Sequence, residues 1–234
     1  MDKLYIVMPA YNEEANIESV VRDWYKVLEG KERESKIVVA DSGSSDRTHE
    51  ILLELKKELP QLEILNNTMK QHGPKVIALY RYAVDNGVDF VFQTDSDGQT
   101  DPNEFDEFWK LRRDYDAIIG NRTKRGDGLS RKLVENVVCI LVRIYFDAKV
   151  PDANAPFRLI NTALIGKYID RLPIDYALPN IVLTGLFAHY KEKITFKVIS
   201  FKPRQGGKNS INIKKIVRIG IKSLKEFAEF RKGL

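Results

Sequence analysis

Val88-Asp89-Phe90-Val91-Phe92-Gln93-Thr94-Asp95-Ser96-Asp97 joins a short apolar run to two carboxylates one residue apart. A run of this length, with Gly87 before it and acids after it, has the pattern of a buried strand. Asp95 and Asp97 then stand at the strand's C-terminal mouth. Carboxylates are costly to leave unpaired there. They become favourable when they hold a divalent cation whose other ligands are phosphate oxygens. The triplet alone carries little weight, because Asp114-Tyr115-Asp116 has the same form and reads as a solvated helix end and turn. Context has to separate the two.

Upstream, Leu4 to Met8 and Lys36 to Ala40 read as strands, the first stopped by Pro9. Leu62 to Leu65 reads as a short third strand, Val88 to Thr94 as the fourth and Ala117 to Gly120 as the fifth. Helical spacing of apolar residues covers Glu13 to Leu28, Asp46 to Leu59, Lys75 to about Asn86 and Asn103 to Arg112, with Pro74 in a first turn and Gly87 as a stop. Strands alternating with helices predict an α/β fold with a mainly parallel, Rossmann-like sheet flanked by helices. Ligands of such sheets bind at the carboxyl edge of the strands. The loops Pro9 to Glu13, Asp41 to Asp46, Asp95 to Gln99 and Asn121 to Thr123 all fall on that edge. The second half is less regular: helices are expected over Ser130 to Phe146 and Leu178 to Tyr190, and strands over Phe157 to Ile160 and Ile194 to Phe201.

The chain has 234 residues, enough for one large domain, with ordinary hydrophobic (43%) and charged (30%) fractions. Cys139 is the single cysteine, so no disulfide forms within the chain, which favours a reducing compartment. It lies in an apolar stretch and reads as a packed thiol rather than a nucleophile. No signal-peptide pattern and no stretch of about 20 apolar residues is present. The net charge of +5 hides an asymmetry: Lys202 to Leu234 carry ten Lys/Arg and two acids, the rest 28 Lys/Arg and 31 acids. The segment from Ser210 reads as an amphipathic helix with a cationic face, suited either to an anionic bilayer or to docking on the domain. Few aromatics interleave its cations and the body is acidic, so nucleic acid is not the expected partner.

Neither G-x-G-x-x-G nor the P-loop pattern occurs, and the three histidines are not spaced as zinc ligands. Oxygen ligands remain, from Asp41, Asp95, Asp97 and Gln99. They select Mg²⁺ or Mn²⁺.

Three motifs, in this order and spacing, resemble family 2 glycosyltransferases of the GT-A fold: Met8-Pro9-Ala10-Tyr11-Asn12-Glu13-Glu14, Val39-Ala40-Asp41-Ser42-Gly43-Ser44-Ser45-Asp46, and Gln93-Thr94-Asp95-Ser96-Asp97-Gly98-Gln99. The branch most resembled loads sugars onto polyprenyl phosphates, as dolichyl-phosphate mannosyltransferase and bactoprenol glucosyltransferase do. Gly120-Asn121-Arg122, Asp152 through Phe157-Arg158-Leu159, and Arg204 to Ser210 fit that branch more loosely. The likeness runs from about residue 4 to about residue 212. It implies a GT-A domain over 1–209 followed by the basic helix over 210–234.

By this resemblance Pro9, Ala10, Tyr11, Glu13 and Ser96 line the nucleotide pocket and Asp41 bonds the base. Asp95 and Asp97, with Gln99, hold the metal. Arg122, Arg131, Arg204 and Lys208 are the cations expected to grip phosphates, and Asp97, Asp152 and Arg122 the catalytic set. Each has a plain structural alternative: Glu13 suits a first helical turn, Asp46 an N-cap, and Arg158 an ion pair with Asp152. The implied reaction moves a hexose, with inversion, from a UDP- or GDP-linked sugar to a polyprenyl phosphate at the cytoplasmic membrane face. A phosphate acceptor is already ionised and needs no strong base. A saccharide or protein hydroxyl, the rival acceptor, would need a carboxylate such as Asp152. A non-catalytic nucleotide-sugar-binding protein is the rival from another class. Two departures bear on the acceptor: Glu135 stands where a small hydroxyl residue is expected, and no acid occupies the helix around Asn180. Sugar, base and oligomeric state, a homo-oligomer included, stay open.

Overall fold

Apolar runs become strands, and the periodic segments between them become helices, in the computed structural model of the chain. It describes residues 2–125, 129–204, 206, 224 and 226–232, with side chains for all of these but 124, 125, 129–131 and 133. The order is β1 (Leu4–Ala10), α1 (Ile17–Tyr25), β2 (Lys36–Asp41), α2 (Thr48–Glu58), β3 (Leu62–Leu65), α3 (His72–Asp85), β4 (Phe90–Gln93), α4 (Phe105–Lys110), β5 (Ala117–Arg125), α5 (Leu129–Phe146), β6 (Arg158–Asn161), α6 (Thr162–Tyr168), α7 (Pro179–His189) and β7 (Ile194–Phe201). Short 3-10 turns follow α1 and α6 and precede α4.

The seven strands form one sheet in the order β3-β2-β1-β4-β6-β5-β7. Only β6 runs against the others. Successive residues of β1 feed opposite faces, as the strand period requires. Leu4, Ile6 and Met8 pack with Trp24, Leu52, Leu55, Phe105 and Phe108 under α1, α2 and α4. Tyr5 and Val7 pack with Ile77, Tyr80, Phe146, Leu164 and Phe187 under α3, α5, α6 and α7. A sheet buried on both faces explains why its strands read as continuous apolar runs.

Two expectations change. Pro9 does not stop β1, which continues to Ala10 with Pro9 opposite Ala40 of β2. Pairing with β4 ends at Val7 opposite Gln93, so the N–H that proline lacks falls where the ladder has already finished. Likewise Asn121 to Thr123 are not a loop. They lie inside β5, which pairs with β7 through an irregularity between Asn121 and Lys124.

No helix among the described residues is long and apolar enough to cross a membrane. At the C-terminus, residues 226–232 are helical. Phe227 is buried against Tyr145 and Phe146, and Phe230 meets Tyr176 edge-on. Arg131 has no described side chain, and Lys208 lies outside the described residues, as does most of the basic segment 210–225.

Candidate active site

The carboxyl ends of β2, β1 and β4 lie side by side, so Asp41, Ala10 and the Asp95–Asp97 turn form a row along one rim. Ala10 and Asp41 are register partners at the ends of their strands. The two loops that follow are stitched together. The Asn12 N–H donates to Ser44 Oγ (3.0 Å), the Ser45 N–H to Asn12 Oδ1 (2.8 Å) and the Glu13 N–H to Thr48 Oγ1 (2.7 Å). Asp46 Oδ1 accepts the Thr48 N–H (3.0 Å), and its other oxygen accepts the Glu14 N–H (3.1 Å). Asp46, expected as the N-cap, instead stands one residue before the cap Arg47; from there it takes up the first N–H of α2 and braces the neighbouring loop at once. Gly43 supplies the left-handed turn this requires, at φ 76°.

Asp41 is 2% exposed. Its Oδ1 accepts the Ser44 hydroxyl (2.5 Å) and its Oδ2 lies 3.1 Å from His49 Nδ1. Half-buried Tyr11 has Lys70 Nζ 4.7 Å and Lys75 Nζ 5.4 Å from its ring centre.

Past β4, Ser96 donates to the Pro9 carbonyl (2.9 Å) and so ties the Asp-x-Asp turn to the end of β1. Asp95 Oδ1 is buried with no hydrogen-bond partner. Burial, and then the charge of Asp97, raise the Asp95 carboxyl far above the usual carboxylate range. Asp97 accepts the Gln99 N–H (3.2 Å) and lies 3.8 Å from Arg204 Nη1. An orphaned buried carboxylate oxygen beside a second acid is the donor set a divalent cation would satisfy. Among the described residues no group of three His, Cys, Asp or Glu could hold a metal, so two carboxylates need oxygens from elsewhere to complete a shell. Gln99, expected as a ligand, is placed as a tie: its Nε2 donates to the Lys202 carbonyl (2.8 Å), and the Lys202 N–H returns to its backbone oxygen (2.8 Å).

Glu13 closes the near side. Its Oε1 accepts from Arg204 Nη2 (2.5 Å) and its Oε2 from Asn16 Nδ2 (2.9 Å). Burial still raises its carboxyl above the ordinary range, the hydrogen bonds notwithstanding. Arg204 thus bridges two acids at the mouth.

The far side corrects the expected roles of Arg122 and Asp152. They meet each other. Arg122 Nε and Nη2 bond Asp152 (2.7 and 2.9 Å), and Nη2 also reaches Glu135 Oε2 (3.0 Å). Arg122 is 6% exposed and Asp152 2%. Burial disfavours the Asp152 charge, but Arg122 outweighs it and holds the carboxyl below its usual value. So held, Asp152 is a weak base, and Arg122 is not a spare cation. Glu135 faces inward as well, accepting the Ala153 N–H (3.0 Å), and burial raises its carboxyl. Nor does Arg158 pair with Asp152. Fully buried, it donates to the carbonyls of Ala155 (2.8 Å) and Asn180 (3.3 Å) and pins the loop entering β6. The Cys139 thiol is pushed up to about 12 by burial and then Glu135, which agrees with an inert packed role.

Sequence patterns did not single out Lys75, and they marked Glu135 only as a departure and Arg158 only as a partner for Asp152. The signal for Lys75 is a cation in the first turn of a helix, where the dipole disfavours it.

The family model described as Glycosyl transferase family 2 matches residues 5–166. An uncharacterized glycosyltransferase of Synechocystis is 26% identical over 233 residues, covering 97% of this chain and 70% of that protein. The undecaprenyl-phosphate mannosyltransferase of Micrococcus luteus is 26% identical over 162 residues, covering 67% of this chain and 65% of its own length. Among solved structures, glucosyl-3-phosphoglycerate synthase from Mycobacterium tuberculosis, in complex with Mn²⁺, UDP-glucose and glycerol 3-phosphate, superposes with a TM-score of 0.71 at 16% identity, covering all of this chain and 81% of that one. That likeness establishes a shared GT-A fold.

Proposed function

The chain belongs to glycosyl transferase family 2, and from that premise we propose that it transfers a hexose, with inversion, from a nucleoside-diphosphate sugar to a polyprenyl phosphate. The observation that carries this reading is the orphaned Asp95 oxygen beside Asp97, one strand from Asp41. Asp41 and Tyr11 take the base, while the backbone of Pro9 and Ala10 and the tied Ser96 turn fix the pocket floor. Asp95 and Asp97 would hold Mg²⁺ or Mn²⁺, with the donor diphosphate supplying the missing oxygens. When bound, the ion neutralises charge building on the departing diphosphate. Gln99, its Nε2 tied to the Lys202 carbonyl, positions the turn and would offer its amide oxygen to the ion.

The acceptor assignment draws on the mannosyltransferase relative, whose name carries a polyprenyl phosphate. It draws also on Asp152, whose carboxyl is spent on Arg122 and depressed by it. A hydroxyl acceptor needs a base at this rim, and a phosphate monoester does not. Arg204, poised between Glu13 and Asp97, exchanges those partners for phosphate oxygens. Lys208 and Arg131 join it in this proposal, and Arg122 becomes a positioning residue. The basic segment from 210 holds the rim against the anionic cytoplasmic face of a membrane.

The test is incubation of the chain with radiolabelled UDP- and GDP-hexoses, Mn²⁺ and undecaprenyl phosphate. An acid-labile, solvent-extractable sugar lipid is expected from wild type and not from Asp97→Ala. Label appearing only on an aqueous saccharide would replace this acceptor with the rival one.

A further inference from the structure

One face of α5 is buried, and another, just as apolar, is not. Val142 and Phe146 are fully buried, and Val138, Leu141 and Tyr145 pack partly against the same core. Elsewhere around the helix Val137 is 48% exposed, Ile140 57% and Ile144 53%, with Val134 at 37% one turn earlier. These positions recur three and four residues apart, so they share one face along about 15 Å of helix. A single exposed isoleucine needs no explanation, but an aligned set marks a contact surface.

The charges around this stripe say what it meets. Among the described side chains of α5 the exposed charged ones, Lys132 and Arg143, are both cations. The helix has one acid, Glu135, which is turned away onto Arg122 at the rim. At the far end of α5, Phe227 is buried against Tyr145 and Phe146, and Lys214, Lys215, Arg218, Lys222 and Lys225 precede it in the chain. No helix among the described residues can cross a bilayer. An apolar strip edged by cations is instead the make-up of a helix that lies in a membrane interface. A second copy of the chain would bring cationic edges together, whereas anionic headgroups complement them.

We propose that this stripe is a lipid-docking surface: Val137, Ile140 and Ile144 enter the acyl boundary of an anionic bilayer while Lys132 and Arg143 meet its headgroup phosphates. α5 then lies along the membrane with its Glu135 end at the rim, which sets the rim at the level of a lipid-borne phosphate. This deepens the acceptor reading above by naming the face that meets the lipid, and rests on it.

The test is sedimentation of the full chain with vesicles of phosphatidylcholine, alone or mixed with phosphatidylglycerol. Wild type is compared with the double variant Ile140→Asn/Ile144→Asn and with Leu53→Asn. Leu53, on α2 at the opposite face of the sheet, is 47% exposed and controls for loss of any exposed apolar side chain. Wild type is expected to bind the anionic vesicles. The double variant, altered only where side chains already meet water, should melt as wild type does and lose about tenfold or more in vesicle affinity, the scale of withdrawing large apolar side chains from lipid. Leu53→Asn should lose nothing. Ile140→Trp gives a direct reading: its emission should shift to the blue and be quenched by lipids brominated on their acyl chains, and that of Leu53→Trp should not. No vesicle binding by wild type, equal binding by the double variant, or unquenched Ile140→Trp emission overturns the inference. So does a double variant that converts a dimer to a monomer with vesicle binding unchanged, which gives the stripe to a second copy. Transfer to detergent-dispersed undecaprenyl phosphate separates this inference from the function. Intact in wild type, it keeps the transferase reading whatever the vesicles show; absent in wild type, it removes the acceptor on which both rest.

Discussion

Two side chains on this rim invite opposite expectations from a pH experiment. Asp152 has the position of a general base but is bonded twice by Arg122. Asp152→Asn should cost up to about 3 kcal/mol, as breaking a buried pair does, partly relieved because Glu135 still faces the guanidinium. The folded variant should keep the shape of the wild-type pH–rate profile. Disappearance of its acid limb would restore Asp152 to the role of base. Lys75 works the other way. It is buried, its Nζ donates to the Ala10 carbonyl, and its folded value of about 8 lies below the ordinary 10.5. Below pH 8 both folded and unfolded chains hold the proton, and the full burial penalty is present. Between 8 and 10.5 the unfolded chain binds the extra proton, so stability rises with pH. Lys75→Met should therefore melt higher than wild type at pH 7, and the gap should shrink across that window. A gap independent of pH would mean the lysine is not held as described. The acids of this site were legible in sequence because Asp-x-Asp after an apolar run is a local pattern. The pairing of Arg122 with Asp152 was not, since it joins positions 30 apart through the fold.

Among the elements, α3 is the one whose placement has the sharpest tolerance. A Cβ on Gly73 would lie 2.3 Å from the Tyr176 carbonyl oxygen and 2.4 Å from that of Ala177. Gly73→Ala must push the start of α3 off the segment before α7, and with it Lys75. The expected cost is about 1–3 kcal/mol, roughly 2–4 °C of melting temperature per kcal/mol in a chain of this size, with weaker nucleotide binding. An unchanged melting curve would show that the contact yields freely. Strand and helix order through β5 could be read from periodicity, and β7 matches its expected span residue for residue. Missed were α6 and the reversal of β6, because seven residues give little period and a strand's direction leaves no mark in its own composition. Pro9 misled for a similar reason. Its missing donor matters only if a neighbour asks for it, and β4 has by then turned away.

At the scale of the molecule, the proposed donor and acceptor halves share one rim but not one set of strands. Two carboxylates alone make a poor cation site, so metal and nucleotide should bind as a linked pair. The melting temperature should rise when Mn²⁺ and a nucleoside diphosphate are added together, and little with either alone. At about 100 times the dissociation constant the gain is about 2.7 kcal/mol. Asp97→Ala should abolish the joint effect, and an equal rise with nucleotide alone would remove the metal from the proposal. One backwards strand gives this design its modularity. Six strands deliver their outgoing loops to the rim, whereas β6 brings an incoming one, and that segment carries Asp152 and ends at Arg158. Under the proposed function, the stretch from β5 to β6 is therefore a cassette beside the nucleotide cradle. Grafting that stretch from one relative to another could retarget what receives the sugar while leaving the choice of sugar donor to the recipient scaffold.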